Sequence, residues 1–237
     1  IPKYDIRKKG QAIIINNHTF HNTKHNRYGT EIDGKKLEQL FQRKGFKVHV
    51  FNDLTGHQMY GAIRDISSQD HSKADCIIVC ILSHGEEGVV CGVDGNRVIV
   101  KDLTSHFNAI ACPSLMGKPK LFFIQACQGS YKMAAVADAQ YDAVTDAKSS
   151  ITANEADFCI GYSTTPGHVS WRTKTEGSWY ISILVENIEK YSEREDLQSI
   201  LSRVNNQVQK KLFQPGRRDG SFVPGFVTQC TAFHSTL

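Results

Sequence analysis

Five runs of apolar residues, each six or seven long, punctuate a chain that is otherwise mixed in polarity. The first, Gln11-Ala12-Ile13-Ile14-Ile15-Asn16, shows no alternation, as expected of a strand covered on both faces. Residues 46–51, 76–82, 121–126 and 157–163 read the same way. Between them the apolar positions switch to helical spacing. Leu37, Leu40 and Phe41 follow Asp33, and Met59, Ile63 and Ile66 follow a candidate cap at Thr55. Residues 88–100 predict a hairpin turning at Asp94-Gly95. Helices are expected over Trp179–Tyr191 and over residues 196–211, with a final extended run from Phe222. This alternation predicts an α/β domain with a largely parallel, doubly wound sheet. One segment breaks the pattern: residues 130–154 hold almost no large apolar side chains and are rich in Ala, Asp, Ser and Thr. That composition suits an exposed linker between two parts of one domain.

Composition narrows the function without naming it. The 237 residues are enough for one large domain, 40% of them hydrophobic and 22% charged, as in an ordinary globular protein. A net charge of +4 without a Lys/Arg run gives no sign of a nucleic-acid partner. No apolar stretch approaches the length of a membrane span, and Ile1-Pro2-Lys3-Tyr4-Asp5 contains no signal-peptide core. The seven cysteines include no C-x-x-C pair, so reduced thiols and a cytoplasmic location are expected. His18, His21 and His25 cluster in a polar stretch without matching cysteines, which favours solvated loop histidines over a metal site. No cofactor is expected.

The chemistry sits where two of the strands end. The run 121–126 leads directly into Cys127, and the run 76–82 leads through Ser83 into His84. In an open α/β sheet the carboxyl ends of the strands face the ligand crevice, so both side chains should reach one rim as nucleophile and base. The blocks Gln125-Ala126-Cys127-Gln128-Gly129 and Ser83-His84-Gly85-Glu86-Glu87-Gly88 are accompanied by Ser170-Trp171-Arg172 and Gly177-Ser178-Trp179-Tyr180. Together, in this order and with His84 placed 43 residues before Cys127, they resemble the caspase family from about Gln11 to Val227.

The resemblance implies a caspase-like fold, with a largely parallel six-stranded sheet and helices on both faces. It implies a zymogen of the cysteine endopeptidase kind that cleaves proteins and peptides after aspartate, in apoptotic or inflammatory signalling. Cys127 would attack, His84 would move the proton, and the backbone N–H groups of Gly85 and Cys127 would hold the oxyanion. A backbone carbonyl near His25 would orient the imidazole. Arg27, Arg172 and Gln125 match the residues that clamp a substrate aspartate, and guanidinium forks suit that task because they bind carboxylates in pairs of bonds. Ser170 and Trp171 would line the groove. Val169 would leave a roomier pocket for the residue before the aspartate, Thr173 would weaken selection of an acidic residue at the fourth position, and Trp179 would stand as an apolar wall.

The same resemblance divides the chain into a large part (1–129), a linker (130–154) and a small part (155–237). Activation would cut the linker, and Asp138, Asp142 and Asp146 are each followed by alanine. Asp146 is the preferred site, because Ala143-Val144-Thr145-Asp146 is the most extended-prone stretch, with Asp142 second. Residues 222–228 would form the last strand and pair two copies into a homodimer. Three alternatives remain in view. A clan relative with another primary specificity would need acidic pocket residues to hold Arg or Lys. A catalytically inactive adaptor would lack Cys127 or His84. A nucleotide binder would need a Gly-rich turn after the first strand, and none is present.

Overall fold

The computed structural model describes residues 9–129, 133–134, 155–212 and 227–237. The first strand, β1 (Gln11–Asn16), leads into α1 (Thr30–Arg43), β2 (Lys47–Asn52) and α2 (Gly56–Ser67), and the chain then re-enters the sheet as β3 (Ile77–Leu82). A small sheet of β4 (Gly85–Glu86), β5 (Val89–Cys91) and β6 (Arg97–Ile99) follows, then the short helix α3 (Val100–Ser105) and β7 (Lys120–Gln125). Beyond β8 (Met133–Ala134) come β9 (Phe158–Tyr162), then the ribbon of β10 (Arg172–Thr173) and β11 (Gly177–Ser178). Helices α4 (Trp179–Tyr191) and α5 (Leu197–Gln209) and strands β12 (Val227–Thr228) and β13 (Ala232–Ser235) complete the chain.

The central sheet has the order β13-β9-β7-β3-β1-β2, and every pairing is parallel except that of β13 with β9. Its two apolar faces explain the unbroken runs of β1, β3, β7 and β9; β2 instead forms the sheet edge and has no fully buried residue, which corrects the expectation that residues 46–51 are covered on both faces. Ile13, Ile15, Val79, Ile81, Phe122 and Ile124 pack with Met59 and Ile63 of α2 and Leu103 of α3. Ala12, Ile14, Cys80, Leu82, Leu121 and Phe123 pack with Leu37 of α1, Leu184 of α4 and Val204 of α5. Burial of each large aliphatic side chain contributes about 1.5–3 kcal/mol, so strands with apolar residues at every position are held from both sides. From β1, one strand in from the edge, the chain goes to that edge with β2 and returns past β1 to β3. The reversal lies between β1 and β3, and their carboxyl ends open the crevice.

Helix starts follow local chemistry. The Thr55 side chain accepts from the Gln58 N–H and Gln58 bonds back, a capping box that starts α2. Ser178 and Asp196 cap α4 and α5. Helix α1 begins one turn earlier than its apolar spacing suggests, at Thr30, which puts Asp33 inside it and on its buried face. The preceding Gly29 has φ +91°, and a Cβ there would lie 2.1 Å from the Thr173 carbonyl oxygen, so only glycine permits this approach.

The sheet edge corrects the expectation for the last strand. It is formed by Ala232–Ser235, not by residues 222–228. Of the expected strand, 222–226 lie outside the described residues, while Val227 and Thr228 pair with Ala134 and Met133. Hydrophobic run length identifies strands buried on both faces. β13 is half exposed and mixed in polarity, so it gives no such signal.

Candidate active site

The sheet register brings the two strand ends together. β3 and β7 pair up to Leu82 and Gln125, and the Ser83 N–H extends the ladder to the Gln125 carbonyl at 3.1 Å. His84 and Cys127 each come two residues after those paired ends. Cys127 is half-buried and unbridged, and the Ser170 N–H points at its sulfur at 3.5 Å. His84 Nε2 lies 2.7 Å from the His25 carbonyl oxygen. A neutral imidazole that donates at Nε2 keeps its lone pair on Nδ1, so this bond selects the tautomer. Burial depresses the His84 pKa to about 4; the His25 carbonyl opposes this, while Arg27, Arg172 and His25 reinforce it. The resting imidazole is therefore neutral at pH 7.

Gly85 stands beside the cysteine. A Cβ there would lie 2.4 Å from the Val89 carbonyl oxygen, 3.0 Å from the Ala126 side chain and 3.3 Å from the Cys127 carbonyl oxygen. Glycine is thus required by the close packing of the β4–β5 hairpin on the strand end.

Next to this rim lie two arginines, both within electrostatic reach of His84. Arg27 is only 1% exposed, and its Nη1 donates to the Asn17 carbonyl at 2.8 Å and to Thr30 Oγ1 at 2.9 Å. Its Nε and Nη2 are buried without a hydrogen-bond partner. Burial, then the like charge of Arg172, lower the Arg27 pKa to about 9, opposed by Asp33 and Cys127. Arg172 Nε donates to the Tyr28 carbonyl at 2.9 Å; burial lowers its pKa, and Asp33, Cys127 and Glu31 oppose the shift. Cys127 therefore lies within electrostatic reach of both guanidinium groups. Gln125 is buried, its Nε2 donating to Ser170 Oγ at 2.7 Å while its Oε1 has no partner. Rotating the amide by half a turn would let Oε1 accept from the serine and free Nε2 as a donor.

Asp33 is the residue that reading the sequence missed. It is fully buried in α1 and accepts the Ser178 N–H at 2.9 and 3.1 Å across 145 residues of chain. Burial raises its pKa, whereas Ser178 and the two arginines pull it down. Gly177 makes room, since a Cβ there would lie 2.3 Å from an Asp33 carboxylate oxygen. Asp33 thus ties the first helix to the cap of α4 and places negative charge beside two cations. The signal was present: Asp33, Leu37 and Leu40 share one helical face, so an acid sits on the apolar stripe.

The other expected residues surround this centre. Val169, Ser170, Trp171 and Thr173 are half exposed along the segment leading into β10. The rings of Trp171 and Trp179 are 6.4 Å apart. Thr173 Oγ1 accepts from the Glu176 N–H at 3.1 Å, which engages it within its own turn. The histidines lie in a solvent-exposed loop as expected, with His21 and His25 exposed; in addition the His25 ring meets His84 edge-on at 5.8 Å, and His18 packs edge-on against Tyr28 and lies 3.7 Å from Glu31. Among the described residues no group of three or more His, Cys, Asp or Glu is arranged to hold a metal ion, and no helix is long and apolar enough to cross a membrane. Asp138, Asp142 and Asp146 lie outside the described residues.

Comparison with known proteins gives the same family. The chain matches the caspase domain over residues 9–235. Caspase-3 of Bos taurus is 41% identical over 208 residues, covering 87% of this chain and 75% of its own length. Caspase-3 of Xenopus laevis is 41% identical over 203 residues, with 84% and 71% covered. Caspase-8 of Mus musculus is 38% identical over 223 residues; 86% of this chain is covered, but only 46% of that relative's length.

Proposed function

The chain belongs to the caspase family of cysteine proteases, and on that premise we propose that it hydrolyses peptide bonds following an aspartate, using Cys127 and His84. The observation that carries the specificity is the buried Arg27 guanidinium, with two N–H-bearing nitrogens left unpartnered beside a second arginine. Unpaired buried donors are costly, and a carboxylate entering the pocket relieves that cost with charge-assisted bonds. A short carboxylate fits between the two forks, whereas glutamate's extra methylene would carry its headgroup past them.

In this reading the Cys127 thiol attacks the carbonyl carbon while neutral His84 takes its proton at Nδ1. The N–H groups of Gly85 and Cys127 hold the oxyanion. Collapse breaks the C–N bond, and His84 passes its proton to the leaving amine. Water, activated by the imidazole, then cleaves the thioester and restores the thiol. Cys127 reaches its reactive form through a neutral base, consistent with the depressed pKa of His84.

The large part (1–129), linker (130–154) and small part (155–237) make up a zymogen in this reading, with cleavage after Asp146 first and Asp142 second. Two copies pair through the antiparallel sheet edge, in the cytoplasm, in apoptotic or inflammatory signalling. A peptide library with aspartate fixed before the scissile bond tests the activity: the purified chain should cleave it, and iodoacetamide should abolish cleavage. No turnover by folded, processed protein would defeat the reading. Intact-mass analysis should find a small part beginning at Ala147 or Ala143; any other start would overturn the processing order.

A further inference from the structure

Between β12 and β13 a polar side chain, Gln229, is fully buried. Its amide Nε2 donates to the Ser163 carbonyl at 2.5 Å, and its Oε1 accepts the Trp171 N–H at 2.7 Å. One partner only accepts and the other only donates, so the amide has one orientation. Ser163, just past the end of β9, exchanges bonds with both sides of the Ala126 peptide: its Oγ donates to the Ala126 carbonyl at 3.0 Å and accepts the Ala126 N–H at 3.3 Å. Trp171 lies between Ser170, whose N–H points at the Cys127 sulfur, and Arg172 of the pocket.

We infer that Gln229 is a positioning residue that holds the Ser170–Arg172 backbone in register with the strand end carrying Cys127, so that pocket and nucleophile address the same peptide. This rests on the proposed Asp-directed protease reading. Substituting methionine keeps the volume but removes both bonds, leaving the Trp171 N–H and the Ser163 carbonyl without their amide partner. The pocket then shifts against the nucleophile, while Cys127 and its neighbours on β7 stay in place.

The experiment compares wild type, Gln229→Met and Gln229→Glu by steady-state kinetics on one Asp peptide and by the rate of Cys127 alkylation by iodoacetamide, a small reagent that needs no pocket. For Gln229→Met, kcat/KM should fall about tenfold to a hundredfold, the range expected when reacting groups are misplaced by an ångström or less. Most of the loss should appear in KM, with the alkylation rate within about twofold of wild type, the scale of one intact thiol environment. Equal kcat/KM, or a parallel loss of alkylation, would overturn the inference. Gln229→Glu adds a pH readout. Protonated, the acid can still donate to Ser163 and accept from Trp171; ionised, it faces a carbonyl. Its activity relative to wild type should therefore rise as pH falls, and a flat ratio would overturn the inference even if the methionine variant failed to fold. Wild-type turnover of the same peptide is the separate control: its absence would defeat the parent reading, whereas active wild type with unaffected variants defeats only the role of Gln229.

Discussion

The strand-end rim and the arginine pocket are neighbours built in opposite ways. The rim comes from one pair of adjacent strands: once Leu82 and Gln125 are in register, the next residues bring His84 and Cys127 to the crevice. The pocket has no such frame. Arg27 lies in a loop after β1, Asp33 in α1 and Arg172 in β10, and the Asp33–Ser178 contact spans 145 residues. The rim is therefore cheap to build and chemically generic, whereas the arginine pair buries charge at a cost, which the proposed reading connects to selectivity. The difference predicts that rim substitutions remove chemistry and spare stability, while pocket substitutions can affect both.

The largest effect should come from Cys127→Ala. Turnover should fall by several orders of magnitude, as when an essential catalytic unit is broken, while the melting temperature stays near that of wild type because the thiol is only half-buried and belongs to neither apolar core. Residual hydrolysis above roughly 1% of wild type, far more than loss of such a unit permits, would remove Cys127 from its role.

Arg172→Lys keeps the charge and removes the planar fork. A loss of about a hundredfold in kcat/KM is expected, equivalent to about 2.7 kcal/mol of transition-state binding. Comparable kinetics for variant and wild type would show that charge alone suffices and would break the contrast between the two regions.

Asp33→Asn should lower stability by about 1–3 kcal/mol, since it weakens the bonds to Ser178 and removes the negative charge beside two arginines. Urea unfolding measures this, and kcat/KM should fall by less than for Arg172→Lys. An unchanged midpoint would make the carboxylate dispensable as a tie between the two parts.

The smallest effect concerns pH. His84 titrates near 4 in the folded chain, against about 6.5 when unfolded. Between these values the unfolded state binds the extra proton, so this group's contribution to stability is present above about 6.5 and is lost as pH falls toward 4. Thermal melts of His84→Gln should lose less stability than wild type over that window. The acid limb of wild-type kcat/KM should likewise lie near 4; a limb near 6.5 would show that the imidazole is not desolvated as described.

How much was legible in the sequence follows from the same contrast. Strands covered on both faces announce themselves by unbroken apolar runs, so β1, β3, β7 and β9 could be read to within about a residue, and Cys127 and His84 followed from their ends. The arginines came from resemblance, because loop residues carry no periodicity. Asp33 was visible only as a polar position on an apolar helix face, with its partner hidden 145 residues away. Gln229 gave no pattern at all: a buried amide between two backbone groups depends on tertiary geometry. The edge strand Ala232–Ser235 was missed because half its positions face outward.

The most direct test of the central claim, that a buried two-arginine pocket selects a short carboxylate, is the ratio of kcat/KM for two peptides differing only in Asp or Asn before the scissile bond. The pair is nearly identical in size and differs in charge. A site built to pair buried donors with a carboxylate should favour Asp by about 10³-fold or more. A ratio within about tenfold, little more than one ordinary hydrogen bond supplies, would contradict the account even if Cys127 proved essential.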